Sequence, residues 1–221
     1  MSKSRILVWD LPTRAFHWLL ALSFVGAYAT SDSERLRDVH VALGYTMLGL
    51  IAFRLVWGLI GTRYARFGSF AFGWRSVLGY LKSLLSRSPQ HYLGHNPAGS
   101  WAIYGLLGLT LLAGATGYAT YNELGGHWLE EVHEFMGNAL LALVLAHVAG
   151  VLASSLIHRE NLARAMVSGY KNGRPGQGIR ARHTIVAAML VAAVAGFWIA
   201  RPDAGAAVQP HQEHAHTARR G

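Results

Sequence analysis

A chain of 221 residues that is 52% hydrophobic and only 14% charged, with a mean hydropathy of +0.25, is too apolar for an ordinary soluble domain and fits several membrane spans. It has no cysteine, which excludes disulfides, thiolate-held clusters, covalent c-type haem attachment and a cysteine nucleophile, and leaves histidine as the soft ligand at hand. The net charge of +9 would suit nucleic acid only if the bases shared one surface, and their distribution shows that they do not.

The N-terminal stretch MSKSRILVWDLPTRAFHW leads into an apolar run from Phe16 to Thr30. A basic start, an apolar stretch and Ala27-Tyr28-Ala29 also fit a cleavable leader. The long segment ahead of the run, and His17-Trp18 inside it, favour an uncleaved first span. A polar, acid-rich turn from Ser31 to Asp38 precedes a second span, His40 to Gly61. Gly61 to Asn96 is the longest connection and carries Arg63, Arg66, Arg75, Lys82 and Arg87. Within it FGWRSVLGYLKSLL is amphipathic and is predicted to lie along the membrane interface. Pro97 starts a third span, Ala98 to Thr120, and Tyr121 to Leu129 links it to a fourth, Glu130 to His158. A basic, glycine-containing segment, a fifth span from His183 to Ala200 and the tail RPDAGAAVQPHQEHAHTARRG complete the chain.

With these spans, 14 Lys and Arg fall on the side of the N-terminus and five on the other, while Arg54 lies inside a span. The positive-inside rule then predicts a cytoplasmic N-terminus and an outer C-terminus. The basic balance is thus topological, and nucleic acid is not an expected partner. Asp32, Glu34, Asp38, Glu123, Glu130 and Glu131 fall on the outer side, an acidic face suited to steering a basic soluble partner.

The fourth span carries His133 and His147, 14 residues apart. At about 100° per residue the two imidazoles project within roughly 40° of each other, some 21 Å apart along the helix. Ionisable side chains inside a span usually turn inward toward a partner. His17 lies near the inner end of the first span and His40 near the outer end of the second. Two layers are therefore expected, His40 with His133 at the outer level and His17 with His147 at the inner. Two neutral imidazoles from facing helices at one depth supply the axial ligation of a b-type haem iron. Arg54, 14 residues after His40, shares its face near the inner layer, where a haem propionate would satisfy its charge. The competing reading is that it snorkels to headgroups.

The ordered set VWDLPTRAFHW, DVHVALGY, FRLVWGLIGTRYARF, YLGHNPAGSW and EVHEFMGNALLALVLAHVAGVLASSLIHRENL resembles the bacterial cytochrome b561 family. The similarity runs toward the cytochrome b subunit of nickel-iron hydrogenase and the gamma subunit of formate dehydrogenase, and covers Ile6 to about Lys171. It implies an all-α membrane protein with a four-helix di-haem bundle, here extended by a fifth C-terminal helix, and haem iron ligands at His17, His40, His133 and His147. It also implies a quinone pocket beside the third helix, which falls on His95, Asn96 and Gly99. Asn96 ahead of Pro97 is equally a helix cap, and both readings stand.

The expected organisation is a di-haem transmembrane domain over residues 1–171, a linker and fifth helix over 172–200, and a histidine-containing outer tail over 201–221. The expected function is electron transfer in the bacterial inner membrane between quinone or quinol and an outer partner, either cytochrome c or a hydrogenase or dehydrogenase subunit, with room for a homodimer. Superoxide oxidation coupled to quinone reduction, attracted by Arg35 and Arg37, is an alternative. From a different class, a haem-free metal permease or sensor would use the same histidines clustered at one depth. A third reading is an anchor subunit whose haems only stabilise the bundle. His211, Glu213, His214 and His216 are a further candidate metal set. Gly44, Gly49, Gly105, Gly108 and Gly114 are read as permitting close helix or porphyrin approach.

Overall fold

The computed structural model describes residues 4–86 and 88–201. The tail histidines His211, His214 and His216, with Glu213, lie outside them. The chain is mostly helical: β1 Ser4–Leu7, α1 Leu11–Ala29, α2 Arg37–Ile60, α3 Trp74–Leu84, α4 Pro97–Tyr121, α5 Trp128–His158, α6 Leu162–Ser168, β2 Tyr170–Gly173 and α7 Thr184–Ile199.

Each boundary follows from local chemistry. The Asp10 carboxylate accepts from Thr13 N at 2.8 Å and caps α1, with Pro12 in the first turn. Asn96 does the same for α4, its Oδ1 2.7 Å from Gly99 N and Pro97 at the first position. At the other end Thr30 Oγ1 donates to Gly26 O and closes α1. Glu130 and Glu131 sit in the first turn of α5, where negative charge suits the helix dipole.

Three stretches, Glu34–Ile60, Pro97–Tyr121 and Trp128–His158, are long and apolar enough to cross a membrane. At 19 residues α1 is about 28 Å long, and α7 with 16 residues is about 24 Å. The first expected span thus begins earlier, at Leu11, because the Asp10 cap and Pro12 start the helix ahead of the apolar run. The amphipathic segment is α3; Trp74, Leu78 and Leu81 are exposed while Tyr80 is buried.

In the bundle α4 lies along α5 and α1 along α2, α2 also packs on α4, and α7 lies against α1. A middle layer of Phe24, Ala27, Met47 and Leu140 joins α1, α2 and α5. Phe16, Leu50 and Leu190 bring α7 onto α1 and α2. At the end that carries the N-terminus, Ile6, Val8, Trp9, Tyr64 and Ala165 form a cap. That cap holds a two-stranded ribbon, β1 antiparallel to β2 with Ser4 opposite Gly173 and Leu7 opposite Tyr170. A boundary at residue 171 therefore falls inside a strand paired to the first residues of the chain. Gly169, at φ +87°, makes the junction: its carbonyl accepts from Val8 N and Trp9 N, and a Cβ there would stand 2.7 Å from Trp9 O. Arg14 donates to the carbonyls of Met166 and Val167 and holds α6 onto α1.

Candidate functional site

His40 stands in the first turn of α2 and His133 in the second turn of α5. Their ring centres are 6.0 Å apart, with the planes nearly perpendicular. His40 Nδ1 lies 2.8 Å from Ala27 O, and His133 Nδ1 lies 2.9 Å from Ala113 O. A carbonyl only accepts, so in each ring Nδ1 carries the proton and Nε2 keeps its lone pair. That is the tautomer and fixed orientation of a metal-ligating histidine. Two imidazoles bound to opposite sides of one metal ion, with metal–nitrogen bonds of about 2 Å, have ring centres roughly 6.3 Å apart. The separation in the structure is close to that value.

The surroundings make room for both rings. Ala27 O belongs to the last turn of α1, where it also accepts from Thr30 N and Thr30 Oγ1 at 3.2 and 3.1 Å, so the end of one helix orients the imidazole of the next. A Cβ on Gly117 would stand 2.7 Å from His133 Cε1; only glycine lets α4 pass this ring. One turn below the pair, Gly44 follows His40 by four residues and Gly137 follows His133 by four, and a Cβ at either meets nothing within 4 Å. The two helices are thus left bare of side chain one turn from each imidazole, which would let a large planar group approach them.

His17, in the second turn of α1, and His147, on α5, lie nearer the other end of the bundle. His17 Nδ1 is buried without a partner, and the ring packs edge-on to Trp18. The Phe24, Met47 and Leu140 layer lies between the two pairs. Among the described residues no group of three or more His, Asp or Glu converges where a bare metal ion would bind. Two nitrogen donors per layer instead suit a prosthetic group that brings its other ligands with it. A permease with histidines at a single depth does not match this division into pairs.

Arg54 is 3% exposed. Its guanidinium lies over Phe67 at 4.7 Å and Phe70 at 5.9 Å, and Nη1 has no hydrogen-bond partner. Gly58 leaves space for the Phe67 ring. The nearby buried carboxylate, Asp10, is already engaged: besides Thr13 N it accepts from Trp57 Nε1 at 3.2 Å and Thr62 Oγ1 at 2.6 Å. A buried cation without an anion costs several kcal/mol in order of magnitude, and a carboxylate arriving with a ligand removes that cost. This burial does not match a side chain that snorkels to headgroups.

The three residues expected at a quinone pocket separate. His95 is sandwiched between Trp9 at 4.6 Å and Phe70 at 4.3 Å, with Nδ1 buried and unpartnered. It lines a cleft of about 290 Å³ together with Arg63, Tyr64 and Phe72. Burial, reinforced by the charge of Arg54, pushes its pKa down to about 3, so the ring is neutral at physiological pH. Asn96 spends its Oδ1 on the α4 cap and Gly99 is the residue capped.

Sequence reasoning missed Asp10 as a hub, although its place before Leu11-Pro12 marks a helix start. It also missed the carbonyl partners of the histidines and a charged cluster of His91, Glu160 and Lys171 beside the cleft. No spacing signals contacts so distant in the chain.

The profile of prokaryotic cytochrome b561 matches residues 8–169. The chain belongs to the prokaryotic cytochrome b561 family. It is therefore a membrane b-type cytochrome that carries haem b and transfers electrons. It is 24% identical over 215 residues to a protein of Rhizobium leguminosarum bv. viciae, covering 76% of this chain and 90% of that one. It is 26% identical over 226 residues to one of Azotobacter vinelandii, covering 79% and 92%. Both are named probable Ni/Fe-hydrogenase B-type cytochrome subunit. A protein of Escherichia coli named probable Ni/Fe-hydrogenase 1 B-type cytochrome subunit is 24% identical over 219 residues, covering 77% and 92%. No solved structure matches.

Proposed function

We propose that this cytochrome holds a pair of b haems, one in each histidine layer, and moves electrons between the quinone pool and a redox partner at the acidic end of the bundle. The His40–His133 pair carries the reading: two ring centres 6.0 Å apart, each Nδ1 bonded to a carbonyl and each Nε2 free. His17 and His147 would hold the inner haem, and Arg54 would take a propionate of it. Four spans, α1, α2, α4 and α5, form the haem bundle and α7 is the added fifth. The excess of Lys and Arg at the N-terminal end supports a cytoplasmic N-terminus in a bacterial inner membrane.

Each haem supplies a one-electron iron couple when bound. The protein's part is structural and electrostatic. The carbonyl bonds of His40 and His133 fix the two rings, which would hold the haem iron. The apolar middle layer keeps water out of the space between the pairs. The cleft beside His95 offers aromatic walls, Tyr64, Phe72 and Tyr92, to a quinone head group. Because the matched relatives are named hydrogenase cytochrome subunits, a hydrogenase subunit is the partner to test first, ahead of a soluble cytochrome c, another dehydrogenase subunit or superoxide; a second copy of the chain is tested as a dimer.

The test is a reduced-minus-oxidised visible spectrum of the purified full chain with haem quantified per polypeptide. About two b haems are expected, with one lost in His133→Ala and the other in His147→Ala. Full haem content in either variant would overturn the layer assignment.

A further inference from the structure

Beside the cleft, on the basic end of the bundle, four ionisable side chains converge from three segments. His91 Nε2 lies 3.1 Å from Glu160 Oε2. The same carboxylate oxygen is 3.2 Å from Lys171 Nζ, which also donates to Tyr92 O at 3.2 Å. The His158 ring centre is 5.3 Å from that of His91. Exposure grades across the cluster: the Lys171 side chain is 3% exposed, Glu160 15% and His91 44%.

His91 lines two spaces at once. One is the cleft that contains His95. The other is a cavity of about 30 Å³ bounded by Glu160, Lys171, His158 and Asn96. It has room for about two waters and the polar lining to hold them. Glu160 fixes the His91 ring through Nε2, which leaves Nδ1 for exchange. The carboxylate then balances the imidazolium formed when Nδ1 takes a proton, the arrangement that makes carboxylate–histidine pairs efficient proton carriers. Lys171 neutralises the pair when His91 is uncharged. A latch alone would need Glu160 and Lys171; it does not explain a half-exposed histidine facing the cleft.

We propose that His91, positioned by Glu160, is the proton-exchange group of the cleft, passing protons between water at the basic end and the quinone head bound beside His95. The proposal rests on the quinone reading above. Quinol oxidation releases two electrons and two protons; the electrons go to the haems one at a time, and each proton leaves through His91 to bulk water. Reduction runs the same steps in reverse. Arg63 and Tyr92 also line the cleft, and His158 faces His91 from the end of α5.

The experiment is stopped-flow reduction of the haems in the full-length, haem-loaded protein by a short-tailed ubiquinol or menaquinol, with dithionite reduction as a parallel channel that needs no proton transfer at the cleft. His91→Ala is expected to slow quinol-driven reduction at least ten-fold, leave the dithionite rate and haem content unchanged, and recover with added imidazole. Glu160→Gln is expected to slow it less and to enlarge the solvent deuterium isotope effect, which a merely structural role would not do. A His91→Ala rate equal to wild type from pH 6 to 9 overturns the proposal. If Glu160→Gln loses haem, the half-exposed His91 variant still decides. Failure of wild type to accept electrons from either quinol overturns the quinone reading itself, a result distinct from a fast His91 variant.

Discussion

Replacing Gly117 by alanine sets two effects of opposite sign against each other. Alanine in a helix interior is favoured over glycine by about 0.8–1 kcal/mol, so backbone preference alone predicts a more stable α4. The new Cβ, however, would stand 2.7 Å from His133 Cε1 and 3.0 Å from Nδ1. The ring must retreat about 0.7 Å to reach ordinary contact at 3.4 Å. That is a large fraction of what the 2.9 Å bond to Ala113 O can absorb. Losing the bond costs about 0.5–1.5 kcal/mol directly. Loss of an outer-shell partner typically lowers metal affinity about 10–100-fold, which is about 1.4–2.7 kcal/mol. The steric effect wins at the site even where the helix gains. Gly117→Ala is therefore expected to keep the fold and the inner haem while lowering occupancy of the outer haem or shifting its midpoint potential. Haem per chain and a redox titration of the α-band measure this. Gly108→Ala, where nothing lies within 4 Å of the added Cβ, is the matched control. Two haems with wild-type potentials in Gly117→Ala would refute the ligand assignment of His133.

Arg54→Met removes a buried positive charge that lacks an anion of its own; the inner haem's midpoint potential should fall, because ferrous haem loses a stabilising cation. A redox titration indistinguishable from wild type would place the guanidinium away from the haem. Acid stability supplies a separate check on the cluster at the basic end. Burial alone would raise the Glu160 pKa, but Lys171 and His91 together hold it below the usual carboxylate range. A depressed carboxylate contributes stability that is complete above its unfolded value of about 4.3 and is lost as pH falls through the lower folded value. Thermal melts in detergent should therefore show a decline below about pH 4 that Glu160→Gln flattens; equal slopes in the two proteins would count against the ion pair.

The histidine layers were legible because they depend on one helix. α5 runs unbroken for 31 residues, so the angular arithmetic from His133 to His147 carries through without a kink to spoil it. Arg54 was legible for the same reason, lying with His40 on the 24-residue α2. What the sequence hid is non-local. The His91–Glu160 contact spans 69 positions and the Asp10–Thr62 bond spans 52. Strands of four residues, Ser4–Leu7 and Tyr170–Gly173, are too short for an alternating pattern to stand out. At His95-Asn96-Pro97 the structure shows the cap, with one carboxamide oxygen serving the Gly99 N–H, and His95 among the residues that line the cleft.

The two layers differ in how much of their geometry the polypeptide fixes by itself. The outer pair is locked by two backbone carbonyls and a glycine before any ligand is considered. The end that carries His17 and His147 instead holds four buried polar atoms without partners among the described residues, Thr13 Oγ1, His17 Nδ1, Arg54 Nη1 and His95 Nδ1. Buried polar groups left unsatisfied each cost about 1–3 kcal/mol, so guests that supply hydrogen-bond partners would stabilise this end of the bundle. In the proposed reading a haem propionate would answer Arg54, and a quinone carbonyl or a water would answer a histidine N–H. The inner end thus has the open valences of a place where small molecules arrive and leave.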